Sequence, residues 1–184
     1  GGSDSIVSLE TVSSLGITAC QMYVPPQEWW VKDQLELTRR AMQEKGVRIT
    51  TLVCHFEGEK WDDIATIKRT VGFLNRTTRE KRVREILSSS GFARDLGIEV
   101  LEPHIGIIPQ NRKDPDYVGW VKVLQRVVDC CKKNGQSFAL ETGQKEADAL
   151  TMFIRDVDRP NLGINFDPAN MLLYYAGDPI EALS

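Results

Sequence analysis

The chain has 184 residues, of which 41% are hydrophobic and 27% are charged, and its formal net charge is −3 at pH 7. This much apolar material with so little charge imbalance excludes a disordered chain and predicts a single globular domain over residues 1–184. Because the charge is slightly negative and the basic residues are scattered, no broad positive face is predicted, which argues against nucleic acid as a partner.

The chain opens with a segment that carries no functional signal. Residues 1–5, Gly-Gly-Ser-Asp-Ser, include no initiator Met and are interpreted as a linker or a cloning remnant. Residues 8–15 are predicted to form a first helix without the strand that should precede it.

Beyond that helix, short β-rich runs alternate with longer helical patterns. Most positions in each β-rich run are apolar or β-branched, as expected for strands buried on both faces of a parallel sheet. The predicted strands are residues 17–24, 47–55, 98–105, 137–141 and 162–167, and the predicted helices between them are 33–46, 78–97, 115–134 and 145–157. This alternation is typical of repeated βα units.

Helix boundaries are marked by capping residues. Asp114 stands directly before Pro115, a pair that favours a helix start because the carboxylate accepts free amide protons and Pro lacks one. Gly46, Gly97 and Gly135 each stand at a helix end just before the next strand, where a left-handed conformation favours glycine.

The predicted fold is a (β/α)₈ TIM barrel of the α/β class that is incomplete in this chain. No Gly-rich phosphate loop follows any strand, so an open nucleotide-binding sheet has no support. A complete barrel needs roughly 250 residues, and we therefore expect the first strand and the last two βα units to be missing. Two unpaired sheet edges should make this chain aggregate or depend on a partner, for which a second copy in a homo-oligomer is one candidate, and it should be inactive by itself.

The four cysteines do not indicate a disulfide or zinc framework. Cys20, Cys54, Cys130 and Cys131 have neither the spacing of paired zinc knuckles nor that of a small disulfide scaffold, and we expect four buried thiols. There is no secretory signal pattern and no apolar run long enough to span a bilayer. The sequence favours a cytoplasmic location and no membrane partner.

Polar residues end four of the predicted strands. His55, His104, Glu141 and Asp167 each follow an apolar run, and in a TIM barrel the chemistry gathers at the carboxyl ends of the strands. Each has a structural alternative. Asp167 could serve merely as a helix cap before Pro168, and Glu141 could be a solvated turn residue. Each histidine could be a hydrogen-bonded structural residue.

Glu141 and Asp167 are 26 residues apart, the length of one βα unit. The two side chains are therefore predicted to project from the ends of adjacent strands and to share one divalent cation. The positive charge of the cation would relieve the repulsion between the two carboxylates. Oxygen ligands, with one or two imidazoles, suit Mn²⁺, Mg²⁺ or Co²⁺ better than Zn²⁺.

At these residues the sequence resembles the sugar phosphate isomerase/epimerase group of the xylose isomerase-like superfamily, the AP endonuclease 2 type of TIM barrel. The resemblance spans most of the chain and lies in four stretches. They are Thr-Leu-Val-Cys-His-Phe-Glu-Gly-Glu (51–59), His-Ile-Gly-Ile-Ile-Pro (104–109), Phe-Ala-Leu-Glu-Thr-Gly-Gln (138–144) and Asn-Phe-Asp-Pro-Ala-Asn-Met (165–171).

The resemblance implies metal binding by Glu141 and Asp167. It also implies that Glu141 is an acid/base residue opposite a second Glu from the last strand, and that a His from the seventh strand completes the metal site. In the implied mechanism the metal polarises a ketose, one carboxylate removes a proton, and the resulting enediolate is reprotonated. Reprotonation on the other face gives epimerisation, and on the neighbouring carbon it gives isomerisation.

The resemblance also assigns residues to the substrate, a sugar or sugar phosphate. His104 and His55 would bind its oxygens or carry protons, and Gln144 and Asn170 would contact hydroxyl groups. Trp61 follows the His55 loop and is predicted to cover the opening of the sugar pocket, where its ring would form one wall. Asn170 stands where ketose epimerases of the group tend to have a His, so the identity of the sugar cannot be transferred.

Two other functions compete with the isomerase/epimerase. An endonuclease IV-like, zinc-dependent AP endonuclease shares the barrel and uses several His, Asp and Glu residues, but Asn170 and the acidic charge disfavour it. A degenerate barrel that binds a sugar without turnover is the non-enzymatic alternative.

Overall fold

Five strands form one parallel sheet whose spatial order follows the chain order, β1-β2-β3-β4-β5. The computed structural model describes residues 5–72, 76–109, 111–143 and 147–183. The strands are β1 (Ala19–Tyr23), β2 (Arg48–Cys54), β3 (Val100–Pro103), β4 (Ser137–Glu141) and β5 (Leu162–Asn165). Among the described strands, β1 and β5 each pair on one side only. This arrangement is that of five consecutive βα units of a barrel.

The helices connect the strands and pack beside one another in chain order. α1 contacts α2, α2 contacts α4, and α4, α5 and α6 follow in series. Their bounds are α1 (Ser5–Ser14), α2 (Lys32–Lys45), α3 (Ile64–Thr70), α4 (Arg76–Leu96), α5 (Pro115–Lys133), α6 (Ala147–Val157) and α7 (Pro168–Leu173), with single 3-10 turns at Gln27–Trp29 and Glu181–Leu183.

The predicted strands and the predicted helices 33–46, 78–97 and 115–134 are confirmed, with ends that differ by at most two residues, the range over which helix and strand ends are hard to define. The first helix begins three residues before its predicted start, and residues 145 and 146, predicted to begin the helix 145–157, lie outside the described residues. The predicted helix start at Asp114 and the three predicted glycine helix ends are also confirmed. The Asp114 side chain accepts a hydrogen bond from the Asp116 backbone N–H at 2.8 Å, and Gly46, Gly97 and Gly135 have φ of 62°, 74° and 73°. All three glycines occupy the left-handed region that ends a helix.

Two short helices, α3 and α7, were not predicted as elements. Each is only six or seven residues long, which is too short to show an apolar stripe. Both are started by an aspartate cap: Asp63 accepts a hydrogen bond from the Thr66 N–H at 2.7 Å, and Asp167 accepts one from the Asn170 N–H at 3.0 Å.

One face of the sheet packs in the hydrophobic core, and the other carries residues of a polar cavity. Leu52, Leu101 and Phe138 are fully buried in the core together with Trp120 and Leu124 of α5. The alternate side chains face the other way, because successive residues of a strand point to opposite sides. The strand register sets Tyr23 beside Val53 and Val53 beside Glu102, so this second face carries a row of site residues.

The cysteine prediction is half correct. Cys54 and Cys131 are buried, but Cys20 and Cys130 are only partly buried, and all four are free thiols. Cys20 lies on the edge strand β1, and Cys130 lies beside rather than on the buried stripe of α5. Within the described ranges, none of the helices has the length and apolar character needed to cross a membrane.

Candidate active site

A cavity of about 360 Å³ opens at the carboxyl ends of the strands. Its wall is built from polar side chains of four strands and of the segment that follows β5, because parallel strands end at one edge of the sheet. The lining residues are Gln21, Tyr23, Val53, Glu102, His104, Glu141, Asn165, Asp167 and Asn170. Glu141 and Asp167 therefore meet in one cavity, as the sequence predicted.

Glu141, the last residue of β4, is held by two amide side chains. Asn165 is its partner in the register of β4 and β5 and donates from Nδ2 to Glu141 Oε2, while Asn170 Nδ2 donates to Oε1 at 2.9 Å. Burial raises the pKa of Glu141 above its usual value, and the two amide hydrogen bonds oppose that rise. The carboxylate is thus oriented on both oxygens, and the net effect is a raised pKa.

Asp167 both caps a helix and lines the cavity. Its Oδ1 caps α7 by accepting from the Asn170 backbone N–H, and its side chain also lines the cavity. Thr142 locks the segment in place: its Oγ1 accepts from the Asp167 N–H at 2.7 Å and donates to the Asp167 carbonyl at 3.1 Å. Within the described part of the chain, no hydrogen bond is found to Asp167 Oδ2.

Glu102 is the acidic residue of the site that sequence reasoning missed. It lies inside β3, is only 3% exposed, and lines the cavity beside Glu141. Burial raises its pKa to about 8, and the negative charge of Glu141 and a hydrogen bond to it act in the same direction. Near neutral pH Glu102 therefore holds a proton that it shares with Glu141. Its Oε1 is buried without a hydrogen-bond partner in the described ranges.

His104 directly follows β3 on the same side as Glu102. Burial lowers the pKa of His104, so the ring is neutral at pH 7 and has one donor and one acceptor nitrogen. Its Nδ1 is buried and has no hydrogen-bond partner among the residues described. The Trp61 ring packs edge-on against the imidazole, with the centroids 4.6 Å apart at 65°, and Trp61 is 40% exposed.

His55, another residue predicted to bind substrate, does not line this cavity. His55 is exposed and packs against the Tyr23 ring at 5.9 Å, and it lines a neighbouring cavity of about 1160 Å³ between β1 and α1. Gln144 lies outside the described residues. Of the residues predicted to bind substrate, the fold therefore brings His104 and Asn170 to the cavity, with Trp61 packed on His104.

The donor atoms present suit a divalent cation held by oxygen ligands. Glu141 and Asp167 supply carboxylates to one cavity, and no hydrogen bond to Asp167 Oδ2 is found within the described ranges. Carboxylate oxygens are ligands that Mg²⁺ and Mn²⁺ prefer. In the described part of the chain no three His, Cys, Asp or Glu side chains converge closely enough to hold a metal by themselves. The described residues thus offer two carboxylates toward a metal site.

Residues 9–183 match the family model described as xylose isomerase-like TIM barrel. The chain belongs to the xylose isomerase-like TIM-barrel family. No curated protein matches this family member at a significant level.

Solved structures agree with the family assignment. A xylose isomerase domain protein from Planctomyces limnophilus is 41% identical, with a TM-score of 0.91, over 95% of this chain and 62% of that one. A D-psicose 3-epimerase, solved in the presence of D-fructose, is 15% identical with a TM-score of 0.70, over 96% and 62% of the two chains. This family member thus spans about three-fifths of their length and has the strand order of a partial TIM barrel.

Structures of the same fold hold different metals. A xylose isomerase-like TIM barrel protein from Mycobacterium smegmatis, in complex with magnesium, is 16% identical with a TM-score of 0.70 over 96% and 61% of the chains. The IOLI protein with a binding zinc atom is 16% identical with a TM-score of 0.71 over 96% and 62%. At this identity the likeness concerns the fold alone.

Proposed function

We propose that the protein containing this chain is a sugar or sugar phosphate isomerase/epimerase that works by carboxylate proton transfer through an enediolate. The observation that carries the proposal is the meeting of Glu141 and Asp167 in one polar cavity, with both oxygens of Glu141 held by amides. Because the chain spans 62% of the relatives described above, the activity is proposed for the whole protein.

Glu141 is the proposed proton-transfer residue. Its raised pKa brings it closer to neutrality, where a carboxyl group both accepts and returns a proton efficiently. Asn165 and Asn170 fix the orientation of its oxygens, and proton transfer depends on such alignment. The neutral His104 ring offers a hydrogen bond to a substrate oxygen.

Asp167 and Glu141 are the residues that would hold a divalent ion, as the resemblance implies. Such an ion, when bound, supplies positive charge that stabilises the developing enediolate. Mn²⁺, Mg²⁺ and Co²⁺ fit a carboxylate site best, and Zn²⁺ belongs in the same test because a structure of this fold contains it.

The nuclease alternative gains no support at the site. Asn170 occupies the place where that activity would require another histidine, and its side-chain amide is engaged by Glu141. The sugar-binding alternative without turnover shares the same cavity and is separated from the proposal by assay.

The test is a panel of ketoses, including D-fructose, D-tagatose and their phosphates, incubated with the whole protein in D₂O and each of the four metals. We expect deuterium to enter the carbon next to the carbonyl of one ketose, together with an epimer or an aldose. Glu141→Gln should lower the rate of deuterium incorporation by at least about 1000-fold, because the variant lacks the carboxylate that accepts the proton. Glu99→Gln, on an exposed residue directly before β3, is the matched control. Binding without deuterium incorporation would establish the non-catalytic alternative, and cleavage of abasic DNA would establish the nuclease.

A further inference from the structure

A buried carboxyl group that the proposed chemistry leaves unassigned lies on β3. Glu102 is 3% exposed and lines the same cavity as Glu141 and Asp167. A carboxyl group at the interior of a parallel strand is costly unless its oxygens are partnered. One side of Glu102 faces Glu141, whereas Oε1 has no hydrogen-bond partner in the described part of the chain.

A second unpartnered atom stands two residues further along. His104 directly follows β3 and lines the same cavity as Glu102. Its Nδ1 is also buried without a partner among the described residues, and it also lines the cavity. Two residues that line one cavity thus each hold a buried polar atom without a partner among the described residues, a carboxyl oxygen on Glu102 and an imidazole nitrogen on His104.

The position of Glu102 in the sheet separates it from the two carboxylates assigned to the metal. β4 lies between β3 and β5, so Glu141 stands between Glu102 on one side and Asp167 on the other. A cation shared by Glu141 and Asp167 would leave Glu102 and His104 on the β3 side of Glu141.

We infer that Glu102 is a substrate-binding residue whose Oε1, together with His104 Nδ1, receives a hydroxyl group of a polyhydroxylated ketose. A hydroxyl group is both donor and acceptor and can therefore satisfy both atoms at once. A site built to hydrogen-bond a hydroxyl discriminates strongly against a ligand that lacks it, because its buried polar atoms are then left unpaired. Glu102 would thus set the preference for one hydroxyl of the sugar. The inference rests on the proposed function for the class of substrate.

The experiment compares Glu102→Leu, Glu102→Gln and the exposed control Glu99→Leu in the whole protein. Calorimetry gives the dissociation constants for Mn²⁺ and then for D-fructose and D-tagatose with the metal present. We expect Glu102→Leu to weaken ketose binding about tenfold or more, as for a lost buried hydrogen bond. Mn²⁺ binding should change by less than about threefold, and Glu102→Gln, which keeps an oxygen at this position, should restore most of the ketose affinity.

Three results overturn the inference. They are ketose binding that Glu102→Leu leaves unchanged, an Mn²⁺ affinity that falls with the ketose affinity, and no binding of either ketose by the unmodified protein. If Glu102→Leu does not fold, a crystal structure of the unmodified protein with D-fructose decides: a sugar hydroxyl within hydrogen-bond distance of Glu102 Oε1 supports the inference, and any other group there contradicts it. Ketose binding that depends on Glu102 without any turnover would refute the isomerase/epimerase and leave this inference standing.

Discussion

The Asn170 side chain donates a 2.9 Å hydrogen bond to Glu141 Oε1 across the gap between α7 and β4. The same residue gives its backbone N–H to Asp167 at 3.0 Å. One residue in the first turn of a short helix therefore orients both carboxylates of the candidate site. Groups that orient metal ligands in this way commonly contribute to metal affinity.

Replacing Asn170 tests this coupling. In Asn170→Ala the backbone cap of α7 remains, but Glu141 loses one of its two amide donors. We expect Mn²⁺ affinity to fall by about 10- to 100-fold, the usual effect of removing a group that orients a ligand. Calorimetric titration measures it, with the exposed Asn111→Ala as the control. An unchanged Mn²⁺ affinity would mean that the Asn170 hydrogen bond does not contribute to metal binding.

Gly143 is predicted to be intolerant of a side chain. Its φ is 110°, and an added Cβ would lie 2.5 Å from Asn170 Cβ and 2.8 Å from the Asn170 carbonyl carbon. Gly58 also has a positive φ, 82°, but an added Cβ there meets nothing within 4 Å. Gly143→Ala should therefore lower the free energy of unfolding by about 2 kcal/mol more than Gly58→Ala, since overpacking is added to backbone strain. Denaturant unfolding of both variants gives the difference, and equal losses would contradict the close approach to Asn170.

Glu59 predicts a pH dependence of stability. Its carboxylate accepts hydrogen bonds from Gly72 N–H at 2.8 Å and Phe56 N–H at 3.0 Å, yet burial dominates and raises its pKa. The folded protein therefore binds this proton more tightly than the unfolded chain does. The stabilisation is fully present below the unfolded pKa of about 4.3 and is lost as the pH rises through the folded pKa.

The measurement is the free energy of unfolding between about pH 3 and pH 8 for the unmodified protein and Glu59→Gln. We expect the unmodified protein to lose stability relative to Glu59→Gln as the pH rises. Glu57→Gln is an informative comparison, because the exposed Glu57 has its pKa lowered by Lys81 and its contribution is lost in the opposite direction, as the pH falls. Parallel pH profiles for the unmodified protein and Glu59→Gln would refute the assignment.

Trp61 is expected to affect substrate binding through His104. The edge-on packing of the two rings at 4.6 Å holds the imidazole in place, and such pairs contribute about 0.5–1.5 kcal/mol. Trp61→Ala should raise KM by about threefold to tenfold with little change in kcat, provided the ketose activity is found. Trp61→Phe, which keeps an aromatic edge, should retain most of the affinity. Equal KM values for Trp61→Ala and the unmodified protein would exclude this role.

Much of the fold was predictable because its signals are local. Apolar runs bounded by glycine and capped helices such as the one that begins after Asp114 are encoded within a few residues of each other. The same locality made Glu141 and Asp167 recognisable, since each follows an apolar strand. The short helices α3 and α7 were not predicted because six or seven residues are too few to show a helical hydrophobic periodicity.

Glu102 shows where sequence reasoning stopped. Glu102 lies in a strand of only four residues, Val100–Pro103. The alternation of side chains along this strand indicates that Glu102 points away from the face of Leu101 and Pro103, but four residues are too few to make this pattern clear in the sequence. Nothing in the sequence near it indicates that the partner of Glu102 is Glu141, which is 39 residues later. Likewise, Asn165 was recognised as part of a motif but not as a group that orients Glu141.

The sequence by itself determined the order of strands and helices and the two carboxylates at neighbouring strand ends, because hydrophobic periodicity and capping act over a few residues. The tertiary structure alone decided that Asn165 and Asn170 hold Glu141, that Glu102 and His104 open into the same cavity, and that His55 lines a different one. Those relationships depend on strand register and on packing between segments distant in the chain, where a shift of one residue turns a side chain to the other face of the sheet.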